Sequence, residues 1–237
     1  YWIFRNIIFG PFLRVYNRPE IVGVDNIPST GPAIIASNHQ SVMDSFFLPL
    51  LCPRQITFLA KAEYFNGTTP VGRLQKWFFT NVGQRPVNRT SASAGQDALN
   101  TAVEVLNDGD LFGIYPEGTR SPDGRLYKGK TGVARIALAS GAQVIPVAMI
   151  GTRDVNPIGT WFPRPGKVRV KVGDPIYPIE FVNNRGLERD SYEAIRALTD
   201  HIMRQLQQLS GQEYADVYAA EVKKALAEGG DSSPHNP

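Results

Sequence analysis

His39 and Asp44 are the residues whose types and spacing best suit acid–base chemistry; they stand five positions apart in NHQSVMD. On a continuous helix, five residues turn the side chain by about 140°, so the two would not share a face. They meet only if His39 sits in a turn and Asp44 begins the next helix. A carboxylate on Nδ1 of an imidazole fixes the tautomer and stabilises the imidazolium formed when the other nitrogen takes a proton. The same pair would also serve as a helix cap with a first-turn charge. Spacing alone leaves both readings open.

Counting narrows the choice of base. The chain has 3 histidines, His39, His201 and His235. His235 lies in the polar ending GGDSSPHNP, expected to be disordered. His201 lies beside the apolar stripe of a helical pattern, where a structural role is expected. A protein nucleophile is not evident. No G-x-S-x-G elbow occurs, Ser41 is too near His39 in sequence, and Cys52 sits in an apolar context. The simpler expectation is that His39 deprotonates a hydroxyl of the substrate.

A second constellation is PEGTRS. Glu117 could accept hydrogen bonds from a polyol, Gly118 lets the backbone approach a ligand, Thr119 adds a hydroxyl, and Arg120 suits bidentate phosphate binding. A polar turn is the plainer alternative.

Both constellations follow β-like runs. AIIAS (Ala33–Ser37) precedes the first and LFGIY (Leu111–Tyr115) the second. ITFLA (Ile56–Ala60), VIPVAMI (Val144–Ile150) and KVRVKV (Lys167–Val172) read the same way. The last alternates, so it is expected at a sheet edge or with one wet face. Helical patterns separate the runs. Ser93–Asn107 carries Ala98, Leu99, Ala102, Val103 and Leu106 on one stripe; Thr131–Ser140 carries Val133, Ile136 and Ala137. Asp190–Leu209 carries Tyr192, Ile195, Leu198, Ile202, Leu206 and Leu209. The alternation implies an α/β fold: a central, mostly parallel or mixed sheet flanked by helices. In such folds, sites form beyond the carboxyl ends of strands.

Four blocks in this order resemble the 1-acyl-sn-glycerol-3-phosphate acyltransferases, within the phospholipid/glycerol acyltransferases. They are NHQSVMD, GQRPVNR (Gly83–Arg89), YPEGTRS (Tyr115–Ser121) and VIPVAM (Val144–Met149). The second departs most, with Arg85–Pro86 where the family favours apolar residues. The resemblance covers roughly residues 20 to 180. It implies that His39, oriented by Asp44, deprotonates the free hydroxyl of lysophosphatidic acid. The oxygen then attacks the thioester of acyl-CoA or an acyl carrier protein, giving phosphatidic acid. It also implies that Arg89 and Arg120, with Lys61, hold the acceptor phosphate. Glu117 would hold the glycerol, and the Gly118–Thr119 turn would lie near the developing oxyanion. Glycerol-3-phosphate or another lysophospholipid, a thioesterase reaction with water, and a lipid-binding module without turnover are the alternatives.

GRLYKGKT (Gly124–Thr131) matches the nucleotide P-loop pattern. A P-loop starts where its strand ends, whereas PEGTRSPD intervenes here, so no nucleotide chemistry is expected. Lys128 and Lys130 would instead add positive charge near the phosphate site or the membrane.

The remaining expectations come from bulk properties. The net charge of +3 over 237 residues suits anionic partners. It is too weak and dispersed for nucleic acid. The single cysteine excludes an internal disulfide and fits a reducing compartment. No His/Cys/Asp cluster has ligand spacing, so neither a metal nor another cofactor is expected beyond the acyl donor.

The chain opens at Tyr1 rather than Met, so its natural amino terminus is expected to lie upstream. YWIFRNIIFGPFLRVYN is aromatic and too short to span a bilayer, and it has no small-residue cleavage site. A helix packed on the domain is one reading of this segment; the expectation preferred for residues 1–18 is a membrane-interface segment, through Trp2, Phe4, Ile7, Ile8, Phe9 and Phe12, given its aromatic load and scattered arginines. Residues 19–228 form the acyltransferase domain and 229–237 a tail. The expected place is the cytoplasmic face of the cell membrane, as a peripheral protein. Trp77, Phe78 and Phe79 are candidates for the acyl groove, with core packing the preferred reading.

Overall fold

The computed structural model describes residues 7, 10–65, 69, 72–73, 76, 80, 83–87, 93–160 and 162–228. The strands are β1 (Glu20–Val22), β2 (Ala33–Ser37), β3 (Ile56–Lys61), β4 (Arg85–Val87), β5 (Leu111–Ile114), β6 (Leu126–Tyr127), β7 (Gln143–Ile150), β8 (Arg169–Val172) and β9 (Tyr214–Ala215). Seven form one sheet in the order β1-β8-β7-β2-β5-β3-β4, and β6 pairs with β9 in a second, two-stranded sheet. All neighbours in the large sheet are parallel except β7 and β8. The expected mixed α/β sheet is therefore present.

The apolar runs form strands because both of their faces are covered. Along β2, Ile34 and Ala36 pack into one cluster with the helices Ala94–Asn107, Gly132–Ser140 and Tyr192–Ser210. Ala33 and Ile35 pack into the other, with Leu13, Phe47 and Leu48. The period-2 alternation of a strand sends successive side chains to opposite faces. A strand buried on both faces thus reads as a continuous apolar run. β8 lies one place in from the edge, between β1 and β7, and keeps the wet face expected from its alternation, since Arg169 is exposed.

The long helix Tyr192–Ser210 starts where Ser191 accepts a hydrogen bond from Ala194 N, and ends at Gly211 in the left-handed region. Its buried stripe is Ile195, Leu198, Ile202 and Leu206. Tyr192, expected on that stripe, is instead 69% exposed. It is the first helical residue and precedes the turn that packs. His201 lies with its ring centroid 4.8 Å from that of Phe181, the structural setting expected for it.

Several short elements had no clear mark in the sequence, among them β6 and β9. β1 and β4 are three-residue edge strands, and the helix Ala219–Ala227 follows β9. Tyr127, Ala215 and Ala219 form a small separate cluster that seats that last helix.

Candidate active site

β2 and β5 are adjacent and parallel, with Ala36 opposite Ile114. Their carboxyl ends therefore emerge side by side, and the two sequence constellations, 78 residues apart, meet there.

The turn after β2 is fixed first by Asn38. Its Nδ2 donates to Met149 O at 3.0 Å, and its Oδ1 accepts from Met149 N at 2.7 Å. The side chain thereby pairs with the β7 backbone and stands in for a further residue of the sheet. Nδ2 also donates to Gln212 Oε1. Asn38 is completely buried, so each of these groups would be costly to leave unpaired.

His39 comes next. Its Nδ1 lies 2.9 Å from Asp44 Oδ2. That oxygen also accepts from Gln40 N at 2.6 Å and Ser41 N at 2.8 Å. Asp44 is the first residue of the helix Asp44–Leu51 and is fully buried. It therefore points back over the turn rather than capping its own helix. The sequence geometry, His in a turn and Asp opening a helix, is what forms. A carboxylate can only accept, so Nδ1 carries the hydrogen and Nε2 keeps its lone pair. The ring stacks on Tyr115, centroids 3.9 Å apart and 12° between planes, and Tyr115 stacks in turn on Phe58. Burial, with the Asp44 carboxylate second, holds the Tyr115 phenol well above its ordinary range, so it stays neutral beside the imidazole. Ser41 Oγ ties the turn to Asn156 O and Oδ1 at 3.0 and 3.1 Å.

Glu117 departs from its expected role. It is fully buried, Oε1 accepts from His39 N at 2.9 Å, and Oε2 accepts from Tyr127 N at 3.0 Å. Both oxygens serve the protein backbone. Glu117 therefore braces the His39 turn against β6 and does not present an open carboxylate to a polyol. Burial pushes its pKa up to about 8, against the two N–H donors.

The following turn is open. Gly118 has φ +73°, a conformation that favours glycine. A Cβ there would lie 3.1 Å from the Lys130 Cδ and Cε atoms, so that side chain runs across the glycine. Thr119 Oγ1 accepts from Lys223 Nζ at 2.6 Å. Arg120 is part-exposed, with no hydrogen-bond or carboxylate partner for its guanidinium among the described residues. Ser121 N returns to His39 O at 2.8 Å, closing the two motifs on each other.

The structure thus brings together His39, Asp44, Glu117, Gly118, Thr119 and Arg120. Lys61 ends β3, but its side chain is not described, and Arg89 lies outside the described residues, as do Trp77, Phe78, Phe79 and residues 229–237. Most of the residues expected at a membrane interface, Trp2, Phe4, Ile8 and Phe9, also lie outside them. Asn38, Asn156 and Lys223 were not singled out from sequence. Only Asn38, next to the histidine, carried a positional hint. The P-loop-like segment offers no open cradle of amides: Leu126 N, Lys128 N and Lys130 N each donate to a backbone carbonyl. Among the described residues no group of His, Cys, Asp and Glu could hold a metal ion.

Comparison with known proteins agrees with this geometry. The family model described as Acyltransferase matches residues 18–150. The chloroplastic 1-acyl-sn-glycerol-3-phosphate acyltransferase of Arabidopsis thaliana is 32% identical over 177 residues, covering 74% of this chain and 47% of the relative. The 1-acyl-sn-glycerol-3-phosphate acyltransferase of Bacillus subtilis is 27% identical over 201 residues, covering 83% and 87%. The chain thus spans about half the length of the plant relative and most of the bacterial one. The crystal structure of the 1-acyl-sn-glycerophosphate acyltransferase PlsC from Thermotoga maritima superposes with a TM-score of 0.63 at 29% identity, covering 86% of this chain and 80% of that one. With the family model matched over more than half its length, and with His39, Asp44 and the Glu117–Arg120 turn assembled at the ends of β2 and β5, this chain belongs to the acyltransferase family that includes the 1-acyl-sn-glycerol-3-phosphate acyltransferases.

Proposed function

We propose that the protein is an O-acyltransferase that moves a fatty acyl group from a thioester, acyl-CoA or acyl carrier protein, to the free hydroxyl of lysophosphatidic acid, giving phosphatidic acid. The observation that carries this reading is the His39–Asp44 pair at 2.9 Å, with no serine, threonine or cysteine hydrogen-bonded to the His39 ring among the described residues and a basic turn next to it. The names of the relatives support the acceptor.

In this reading His39 Nε2 takes the acceptor hydroxyl proton as the oxygen attacks the thioester carbonyl. Asp44 stabilises the imidazolium. The tetrahedral intermediate then expels the thiolate, and the imidazolium returns its proton to that sulfur. Ester and thiol are the products, and no acyl-enzyme forms. Arg120, with Arg89 and Lys61, binds the phosphate, and backbone of the Gly118–Thr119 turn lies near the oxyanion.

The protein is proposed to work at the cytoplasmic face of the cell membrane, held at the surface. Ile7, Phe12, Val15 and Phe162 are exposed, and the Phe12 and Phe162 rings lie 6.1 Å apart. Such a patch suits the lipid interface. Among the described residues no helix is long and apolar enough to cross a membrane.

The test is thiol release by purified protein from acyl-CoA, with and without lysophosphatidic acid, together with identification of the lipid product. Acceptor-dependent release with phosphatidic acid formed is expected. Release that ignores the acceptor would make the protein a thioesterase, and no release with any acyl donor would leave a lipid-binding module.

A further inference from the structure

Lys223 lies in the helix Ala219–Ala227, far beyond the residues that match the family model. Its ammonium nevertheless reaches the catalytic turn and donates to Thr119 Oγ1 at 2.6 Å. The path that brings it there is continuous. Tyr127 N holds Glu117 Oε2, Tyr127 lies in β6, and β6 pairs with β9 through Leu126–Tyr214 and Tyr127–Ala215. The last helix starts four residues after β9 and is seated on Tyr127 by Ala219 and Val222. The turn and the helix are therefore set by one small sheet.

Three cations converge on this turn: Arg120 in it, Lys130 across Gly118, and Lys223 on Thr119. Lys128, two residues before Lys130, is already paired with Asp216 at 3.0 Å. The three have no such partner among the described residues. The nearest carboxyl, Glu117, is buried and spent on backbone amides. Lost hydration and the Arg120 guanidinium lower the Lys223 pKa, and together they outweigh the opposing attraction of Glu117. Like charges gathered without a direct ion pair favour an arriving anion. Lysine has three donors, of which Thr119 uses one.

We propose that Lys223, carried by the C-terminal helix, is a ligand of the acceptor's phosphomonoester, so that this helix forms one wall of the acceptor site, with Lys130, which runs across Gly118, supporting it. The inference rests on the proposed acyl transfer to a phosphate-bearing acceptor. It predicts that selectivity for a phosphorylated acceptor depends on a residue of the last helix.

The experiment is steady-state kinetics of the full chain with oleoyl-CoA and lysophosphatidic acid, for wild type, Lys223→Met, Lys223→Gln and Lys223→Arg, with thermal melts of each. Gln keeps a donor for Thr119 and removes the charge. The acceptor KM should rise about tenfold or more in the Met and Gln variants, the scale of a lost charge-assisted hydrogen bond. The Arg variant should recover most of it, and the oleoyl-CoA KM should stay within about twofold of wild type, since both substrates carry phosphate and only one is assigned here. A rise in the oleoyl-CoA KM alone would move the subsite to the donor phosphates and overturn the assignment. Loss of kcat with a lowered Tm, a fixed acceptor KM and no rescue by Arg would reduce Lys223 to a structural contact. A wild-type chain that does not acylate lysophosphatidic acid would instead overturn the proposed function, and this inference with it.

Discussion

The backbone N–H of His39 donates to Glu117 Oε1 at 2.9 Å, so the residue proposed as the base is held in place by the first carboxylate of the neighbouring motif. The second oxygen of Glu117 holds Tyr127, and His39 O accepts from Ser121 N. The two motifs are one folded unit. Disturbing Glu117 therefore moves the base without touching the substrate directly.

This brace gives a pH dependence with a defined sign. Burial raises the Glu117 pKa from the ordinary carboxyl value of 4.5 to about 8, so the folded chain holds a proton that the unfolded chain releases between those values. Its contribution to stability is full below about pH 4.5 and is lost as pH rises through about 8. Glu117→Gln removes the titration and turns one acceptor into a donor facing a backbone N–H. Its Tm deficit should be larger near about pH 6 than near about pH 9, where the wild type has lost its own advantage. A deficit that stays constant across that range would reject the protonated brace. Glu117→Ala should cost about 1–3 kcal/mol for each amide left bare, measured by urea unfolding.

His39→Ala should lower kcat by roughly 10²–10⁴, the usual range for a general base, with the Tm little changed. Asp44→Asn keeps an oxygen for the Gln40 and Ser41 amides but loses the charge that stabilises the imidazolium. It should also depress kcat strongly. Near-normal turnover in Asp44→Asn would make the pair a turn-stabilising contact.

Arg120→Ala should raise the KM for lysophosphatidic acid more than that for acyl-CoA. The guanidinium belongs to a part-exposed residue and has no carboxylate partner among the described residues. Equal changes in the two constants would remove it from the acceptor phosphate.

Phe12 and Val15 are 43% and 78% exposed on the helix Gly10–Tyr16, and a Phe12→Ser/Val15→Ser variant should sediment less with anionic liposomes than wild type. Sedimentation unchanged by both substitutions would return this helix to a role in packing alone.

Much of the site was legible because its chemistry is local. NHQSVMD contains base, carboxylate and turn within seven residues, and a five-residue spacing admits only the turn-then-helix arrangement that forms. The two-faced burial of β2, β5 and β7 writes continuous apolar runs, and the stripe of Tyr192–Ser210 writes its three- and four-residue repeat. Short edge strands leave no such trace, since three residues of β1 or β4 cannot show a period. Glu117 was located correctly but its environment was not. Nothing in PEGTRS states that both oxygens will be taken by amides from β6 and the His39 turn.

By itself the sequence determined the longer strands and helices, the turn-then-helix setting of His39 and Asp44 and the order of the motifs, because helix and strand periodicity and turn chemistry act over a few residues. The tertiary structure decided which distant groups share one space. The β2–β5 pairing joins His39 to Glu117, the Asn38–Met149 pairing fixes the turn, and the β6–β9 pairing delivers Lys223 to Thr119, 104 residues away. Such placements come from strand order and from the need to pair every buried polar group, and both are properties of the whole packed chain.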